Sequence, residues 1–225
     1  MSNASPLPIN QARQIQLELA KQVQYSELPS RIRTIAGFDI AYIKSQNTLI
    51  AGMVVLEYPS LRTIACKLIS GNITFPYIPG YLSFREAPAL LDLIGRYGEK
   101  VDIFVIDGHG LAHPRGLGIA SHIGVVAGKP TIGCAKKILV GKYEEPPVYK
   151  GGVSDIVYHD RVVGCAVRTK DRTKPVFISV GHLTDLKQNV ELILNCATRY
   201  RIPEPTRLAH LEVTKRRNEI QAERN

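Results

Sequence analysis

Apolar residues recur at four-residue intervals through Ile15, Leu19 and Val23, a spacing that predicts a helix over Asn10–Leu28 ended by Pro29. Three strand-length apolar runs follow, Thr34–Tyr42, Leu49–Tyr58 and Ile64–Ser70, and their short polar connections predict an antiparallel meander. The helical period returns at Phe84, Ala87, Leu90, Leu91 and Ile94, predicting a helix over Ser83–Tyr97 that leads into the wholly apolar strand Ile103–Ile106. Beyond it the pattern predicts a short helix at Gly118–Ala127, a strand at Pro130–Cys134, and a hairpin of Val162–Arg168 with Val176–Val180. Two further helices are expected, Asp185–Tyr200 and Pro205 to about Gln221, the second carrying Thr206, His210 and Thr214 at four-residue spacing. A meander followed by alternating helices and strands predicts an α/β fold, one mixed sheet with helices on both faces. With no internal repeat or linker, residues 1–225 read as a single domain.

Composition narrows the class without naming a function. A chain of 225 residues with 44% hydrophobic and 22% charged residues can bury a sizeable core, which excludes a wholly disordered protein. The opening MSNASPLPIN shows no targeting pattern and no run is long enough to span a bilayer, so the expected setting is the cytoplasm, away from membranes. The four cysteines are widely spaced, and Cys66, Cys134 and Cys165 lie in apolar strand-like runs, which predicts buried free thiols. A formal net charge of +9 attracts polyanions, although an acidic protein partner would satisfy it as well as nucleic acid.

Candidate chemistry concentrates in a few segments. Asp39 lies inside IAGFDIAY, where an ionised carboxylate needs a hydrogen bond, a counter-charge or a cation, so it is either a buried acceptor or a metal ligand. Asp107 stands where the strand VDIFVI opens into Gly108-His109-Gly110. Alone it reads as a turn acceptor; paired with Asp39 it offers oxygen ligands to a hard divalent ion such as magnesium or manganese. Glu86 follows Ser83 at capping-box spacing, so capping and metal binding compete for it. In DGHGLAHPRGLGIASHIG, His113 and Arg115 suit a phosphate or plain loop hydrogen bonding, His122 reads as a packed helix residue, and the histidine spacing does not match a compact zinc site. Lys136 and Lys137 follow IGCA, either as an ammonium at a strand-end site or as a solvated turn, and the phosphate-binding loop pattern is absent around them. FPYIPGYL holds two prolines among aromatic and apolar residues. It reads as a packed loop or as a semi-rigid protrusion able to enter stacked bases, with Tyr77 as its probe. Gly80, Gly108 and Gly110 permit close approach of a base to backbone groups. No G-x-S-x-G elbow or H-E-x-x-H signature is present and the separated cysteines lack neighbours that would activate a thiolate, which disfavours serine hydrolase and thiol protease chemistry.

Taken together, FDIAY around Asp39, PYIPGYLSFRE from Pro76 to Glu86, DGHGLAHPRGLGIASHIG from Asp107, GCAKK ending at Lys137, KPVFISVGH through His182 and RIPEPTRLAH ending at His210 resemble the endonuclease V family. The resemblance covers most of the chain in family-like order. It implies a ribonuclease-H-like fold and a magnesium-dependent endonuclease, with manganese as a plausible substitute. The implied reaction recognises inosine, deaminated adenine, in DNA and hydrolyses the second phosphodiester on its 3′ side, leaving 3′-hydroxyl and 5′-phosphate ends and initiating repair. It further implies that Asp39, Glu86 and Asp107 form the acidic core and that His210 completes or supports metal coordination. Lys136 would position phosphate or water, and His113 would stand near the reacting phosphate. Pro76, Tyr77, Ile78 and Pro79 would be a strand-separating wedge, and Gly80, Tyr81, Leu82 and Gly108 would shape a hypoxanthine pocket. Inosine-containing RNA is the nearest alternative substrate, because a pocket reading hypoxanthine need not exclude a 2′-hydroxyl. A catalytically silent, structure-specific nucleic-acid-binding protein is the alternative of a different class. Downstream repair proteins are expected partners of an enzyme that leaves the lesion in the strand.

Overall fold

The three apolar runs near the start form strands β1 (Thr34–Ile43), β2 (Thr48–Glu57) and β3 (Thr63–Asn72), each antiparallel to the next, as the short connections predict. The computed structural model describes residues 7–223, so residues 1–6 of the segment read as free of targeting signals lie outside it. The chain continues through α2 (Leu82–Tyr97), β4 (Ile103–Ile106), α3 (Ile119–Ala127) and β5 (Thr131–Ala135). It closes with β6 (Val153–Tyr158), β7 (Arg161–Val167), β8 (Val176–His182), α4 (Leu186–Cys196) and α5 (Glu204–Ala222), and α1 (Ile9–Ala20) precedes the sheet. The strands make one mixed sheet in the order β3-β2-β1-β4-β5-β8-β7-β6, in which β1, β4 and β5 are parallel neighbours and the remaining pairings antiparallel.

Side-chain alternation along β1 and β4 supplies both faces of the sheet with apolar residues. Phe38, Phe104 and Ile106 pack with Leu90 and Leu93 of α2 and Ile123 of α3. Ile35 and Val105 on the opposite face join Ile132, Ile178 and the α4 residues Val190 and Ile193. On that second face α5 lies over β1 and β2, with Val213 against Ala41 and Ile50 and Ala209 against Val54 and Leu56. Gly37 sets how near α5 can come: a Cβ there would stand 2.1 Å from the Pro205 carbonyl carbon, so only glycine admits the start of this helix. No described helix is long and apolar enough to cross a membrane.

Four expectations change. The first helix stops at Ala20, because residues 24–28 are drawn out along the end of β8. There Tyr25 bridges to Thr184, Leu183 N–H donates to the Gln24 carbonyl at 2.7 Å, and Gln24 N–H donates to His182 Nδ1 at 3.2 Å. These tertiary bonds override the local helical preference. Strand β6 carried too little apolar signal to predict, since it is a sheet edge with only Ile156 buried. Helix α4 ends at Cys196 instead of Tyr200, where the extended Ala197 turns its carbonyl to Lys150 Nζ at 2.6 Å. Cys66 is exposed on the edge strand β3, whereas Cys134, Cys165 and Cys196 are buried free thiols.

Candidate active site

The sheet register brings the first two carboxylates together. Phe38 of β1 pairs with Ile106, the last residue of β4, and the next residue on each strand is Asp39 and Asp107. Strand β1 runs on to Ile43 while β4 stops, which opens a crevice at the carboxyl end of a parallel strand, where α/β sheets place ligands. Glu86 enters from α2, and the three carboxylates line one cavity of about 200 Å³ floored by Phe38, Ile106 and Ile119.

Each carboxylate has a different partner. His210 Nδ1 of α5 meets Asp39 Oδ2 at 2.7 Å, the contact that the close approach at Gly37 makes possible. Lys136, just past β5, forms a short ion pair with Asp107 Oδ2. Tyr42, a strand residue the sequence did not single out although it ends FDIAY, donates its hydroxyl to Glu86 Oε1 at 2.5 Å. The capping alternative for Glu86 fails, because the N-cap of α2 is Tyr81 and Ser83 makes no capping bond. Arg201 was also missed as a site residue. Its guanidinium donates to the carbonyls of Lys136 at 2.9 Å, Pro175 at 2.7 Å and Lys174 at 2.7 Å, holding the backbone that carries Lys136.

Electrostatics mark this cavity as short of positive charge. Burial, with Asp107 adding repulsion, raises Asp39 above the usual aspartate range despite its bond to His210. Burial pushes Glu86 up to about 7, opposed by the Tyr42 hydrogen bond and reinforced by Asp39 and Asp107. Burial works against the Lys136 ammonium, yet Asp107 and Asp39 hold it above the ordinary lysine value. Among the described residues no three His, Cys, Asp or Glu side chains are already gathered as a closed ligand set. The donor chemistry nevertheless fits a hard divalent cation: three carboxylates open onto one cavity, and two resist ionisation for want of a counter-charge.

A second cavity, of about 400 Å³, adjoins the first and shares Leu82 and Ile119 with it. Tyr77, Ile78, Pro79 and Gly80 form one side, Gly108, His109 and His113 another, and Ile138 and Leu139 a third. Tyr77 is 70% exposed and stands out from the rim, and Pro76 beside it is exposed too. Ile138 and Leu139 gave no signal in sequence, since they lie in an irregular segment with no motif of their own.

The remaining predicted residues divide. His113 is buried beside this apolar pocket and is not among the residues lining the acidic cavity. Its Nε2 meets the Gly80 carbonyl at 3.1 Å, its Nδ1 accepts from Arg115 N–H at 3.2 Å, and burial together with Arg115 pushes it down to about 4. Arg115 bonds to Gln16 and Gly80 and lies over the Tyr81 ring, 4.3 Å from its centroid. Gly110 presents nothing to a ligand, because its N–H donates to Ser179 Oγ at 2.8 Å and its carbonyl accepts from Gly118. Lys137 lines the apolar pocket while its carbonyl meets His109 Nε2 at 2.9 Å, which leaves Lys136 as the ammonium at the carboxylates. His122 packs edge-on against Phe84, as expected of a helix residue facing the core.

A sheet that is antiparallel through β3-β2-β1 and parallel through β1-β4-β5, with helices on both faces and carboxylates where β1 and β4 part, defines the class as ribonuclease-H-like nucleases. The Endonuclease V family model matches residues 17–211. Endonuclease V of Roseiflexus castenholzii is 44% identical over 204 residues, 91% of each chain. The crystal structure of the Streptomyces avermitilis enzyme superposes with a TM-score of 0.91 at 36% identity, covering 98% of both chains. That of Ciona intestinalis Endonuclease V in complex with a 24mer DNA containing an inosine followed by a ribo-adenosine gives 0.83 at 28% identity, covering 94% of this chain and 98% of that one. The chain belongs to the endonuclease V family.

Proposed function

We propose that this protein is a magnesium-dependent endonuclease that recognises inosine in DNA and hydrolyses the second phosphodiester on its 3′ side, leaving 3′-hydroxyl and 5′-phosphate ends. The observation that carries the reading is the pair of adjoining cavities, one apolar beneath the Tyr77 rim and one acidic, walled from each other by Leu82 and Ile119. A base held in the first puts a phosphate further along the same strand at the second, so recognition and cutting fall on different nucleotides.

Asp39, Glu86 and Asp107 would hold the cation, with His210 orienting Asp39 through the 2.7 Å contact. The bound ion, magnesium or manganese, supplies Lewis-acid polarisation of the phosphate and lowers the pKa of attacking water. Lys136, kept protonated by its carboxylate neighbours, stabilises the charge that develops on the phosphate oxygens. His113 does not share the proton transfer in this scheme, because both ring nitrogens are committed away from the carboxylates. Tyr77 enters the stack beside the lesion, offsetting the few kcal/mol that an extruded base loses. The apolar pocket accepts hypoxanthine, with Gly80, Leu82 and Gly108 in its lining and Tyr81 behind Gly80.

RNA is the second reading, favoured by the Ciona relative, whose bound strand carries a ribonucleotide directly after inosine. Matched end-labelled DNA and RNA strands with one inosine or none, incubated with and without magnesium, test both. Magnesium-dependent cutting at the second 3′ phosphodiester of the inosine strands is expected. Binding without cutting would point to a silent binder, and cutting independent of inosine would remove the proposed base pocket.

A further inference from the structure

The Gly80 carbonyl oxygen receives three side-chain donors from two distant segments: Gln16 Nε2 at 3.0 Å, His113 Nε2 at 3.1 Å and Arg115 Nη2 at 2.5 Å. A carbonyl has two lone pairs, so three donors, one of them charged, saturate it. The donors are themselves ordered by one another. Gln16 Oε1 accepts from Arg115 Nε at 2.5 Å, and Arg115 N–H donates to His113 Nδ1, which fixes the tautomer carrying its proton on Nε2. Gln16 is fully buried although it lies on α1, a helix that lines neither cavity, so each amide bond it makes replaces one lost to solvent.

The point of attachment matters because of what hangs from it. Gly80 has φ +78° and separates the exposed Tyr77 rim from Leu82, the wall shared by both cavities. Among the described residues, every hydrogen bond joining residues 76–80 to a distant part of the chain ends on that one oxygen. The Arg115 guanidinium also covers the Tyr81 ring, so the clamp grips Gly80 and the residue that follows it.

We infer that Gln16, Arg115 and His113 form a clamp on the Gly80 carbonyl that sets the height of the Tyr77 wedge and the roof of the base pocket, making Gln16 of α1 a specificity-determining positioning residue. The inference rests on the proposed function for the meaning of the loop, and on the hydrogen-bond geometry alone for the clamp. Arg115 is thereby a loop anchor instead of a phosphate contact.

The chain contains no tryptophan, so Tyr77→Trp places a single indole on the wedge, which can be excited selectively over the tyrosines. In that background Gln16→Met, which keeps volume and helix preference while removing both bonds, is expected to lower the fluorescence anisotropy at the wedge. In the chain that retains Tyr77, the same change should lower the ratio of cleavage on inosine to undamaged strands roughly tenfold or more, through KM and with kcat held within about twofold. Arg115→Met, at a partly exposed site, should do the same, and the double variant should lose no more than the worse single one, as expected of residues acting as a unit. If Gln16→Met does not fold, Arg115→Met decides alone. Folded variants with unchanged anisotropy and unchanged discrimination would overturn the clamp, as would a fall in kcat with the ratio intact, the mark of a purely structural role. Absence of inosine-dependent cleavage in the parent chain would sink the proposed function instead, while the anisotropy arm would still decide whether the clamp holds the loop.

Discussion

The acidic cavity and the apolar pocket share a wall, yet they are built by different means. Every carboxylate sits on or directly beside a regular element, β1, the end of β4 or α2, and each is met by a side chain from elsewhere, His210, Lys136 or Tyr42. The apolar pocket is made largely of loops, residues 77–80, 108–118 and 137–139, and is held through backbone carbonyls at Gly80 and Lys137. Charge at a reacting phosphate requires fixed donors on rigid supports. A base instead requires a shaped, largely pre-formed apolar slot, whose loops must be held in place. Damage to the first region should therefore appear in turnover, and damage to the second in discrimination.

The sharpest way to break this division is to neutralise the carboxylates. Asp39→Asn or Asp107→Asn is expected to reduce the single-turnover cleavage rate by on the order of a thousandfold while strand binding persists, since a mis-held charge at the phosphate forfeits transition-state stabilisation. Near-parental rates in either folded variant would remove the acidic core from the mechanism. Lys136→Ala should cost about a hundredfold in kcat. Arg201→Ala should cost less and in the same parameter, because it acts on Lys136 only through the backbone carbonyl; a change confined to discrimination would place Arg201 with the other region.

Tyr77→Ala probes the other side. Losing one stacked aromatic should lower discrimination for inosine roughly tenfold and leave kcat on saturating inosine strand nearly intact. Equal loss on damaged and undamaged strands would show the rim to be general packing.

The smallest expected effect is on stability, through the buried carboxyl of Glu86. Its folded-state value is raised from 4.5 to about 7, chiefly by burial, so the folded chain holds this proton more tightly than the unfolded chain does. The contribution is whole below the unfolded value and is lost as pH rises through about 7. Burial of His113 and His122, each pushed down to about 4, works in the opposite direction over the same range, so the Glu86 contribution is read as the difference between two metal-free proteins. The Tm of Glu86→Gln relative to the parent should rise as pH rises through about 7, and magnesium should raise the parent Tm more above neutrality than in acid. A Tm in Glu86→Gln that tracks the parent at every pH would show that the buried carboxyl is already balanced.

Much of the catalytic half was legible in sequence because its signals are local. An aspartate within IAGFDIAY and another at the end of VDIFVI are out of place in apolar strands, and that misfit needs no alignment to see. Glu86 was harder, since Ser83 at capping spacing offered a competing role that only the position of the helix start removed. Tyr42 and Arg201 looked like ordinary residues, because their importance lies in what they touch. The recognition half was legible only as a proline-braced aromatic stretch. Gln16 carries no sequence signal, being one polar residue among several in an amphipathic helix.

Local pattern was enough for the meander, most of the helices and strands after it, and the residue types available for metal and phosphate chemistry, because hydrophobic period and residue chemistry act over a few neighbouring positions. Three outcomes belonged to the tertiary structure. The parallel register of β1 on β4 set Asp39 beside Asp107, the bare Gly37 let α5 bring His210 onto Asp39, and the fold carried Gln16 across 64 residues of chain to the Gly80 carbonyl. Each depends on a contact between segments far apart in sequence, whose energy exists only once the sheet and its two helical layers have closed around them.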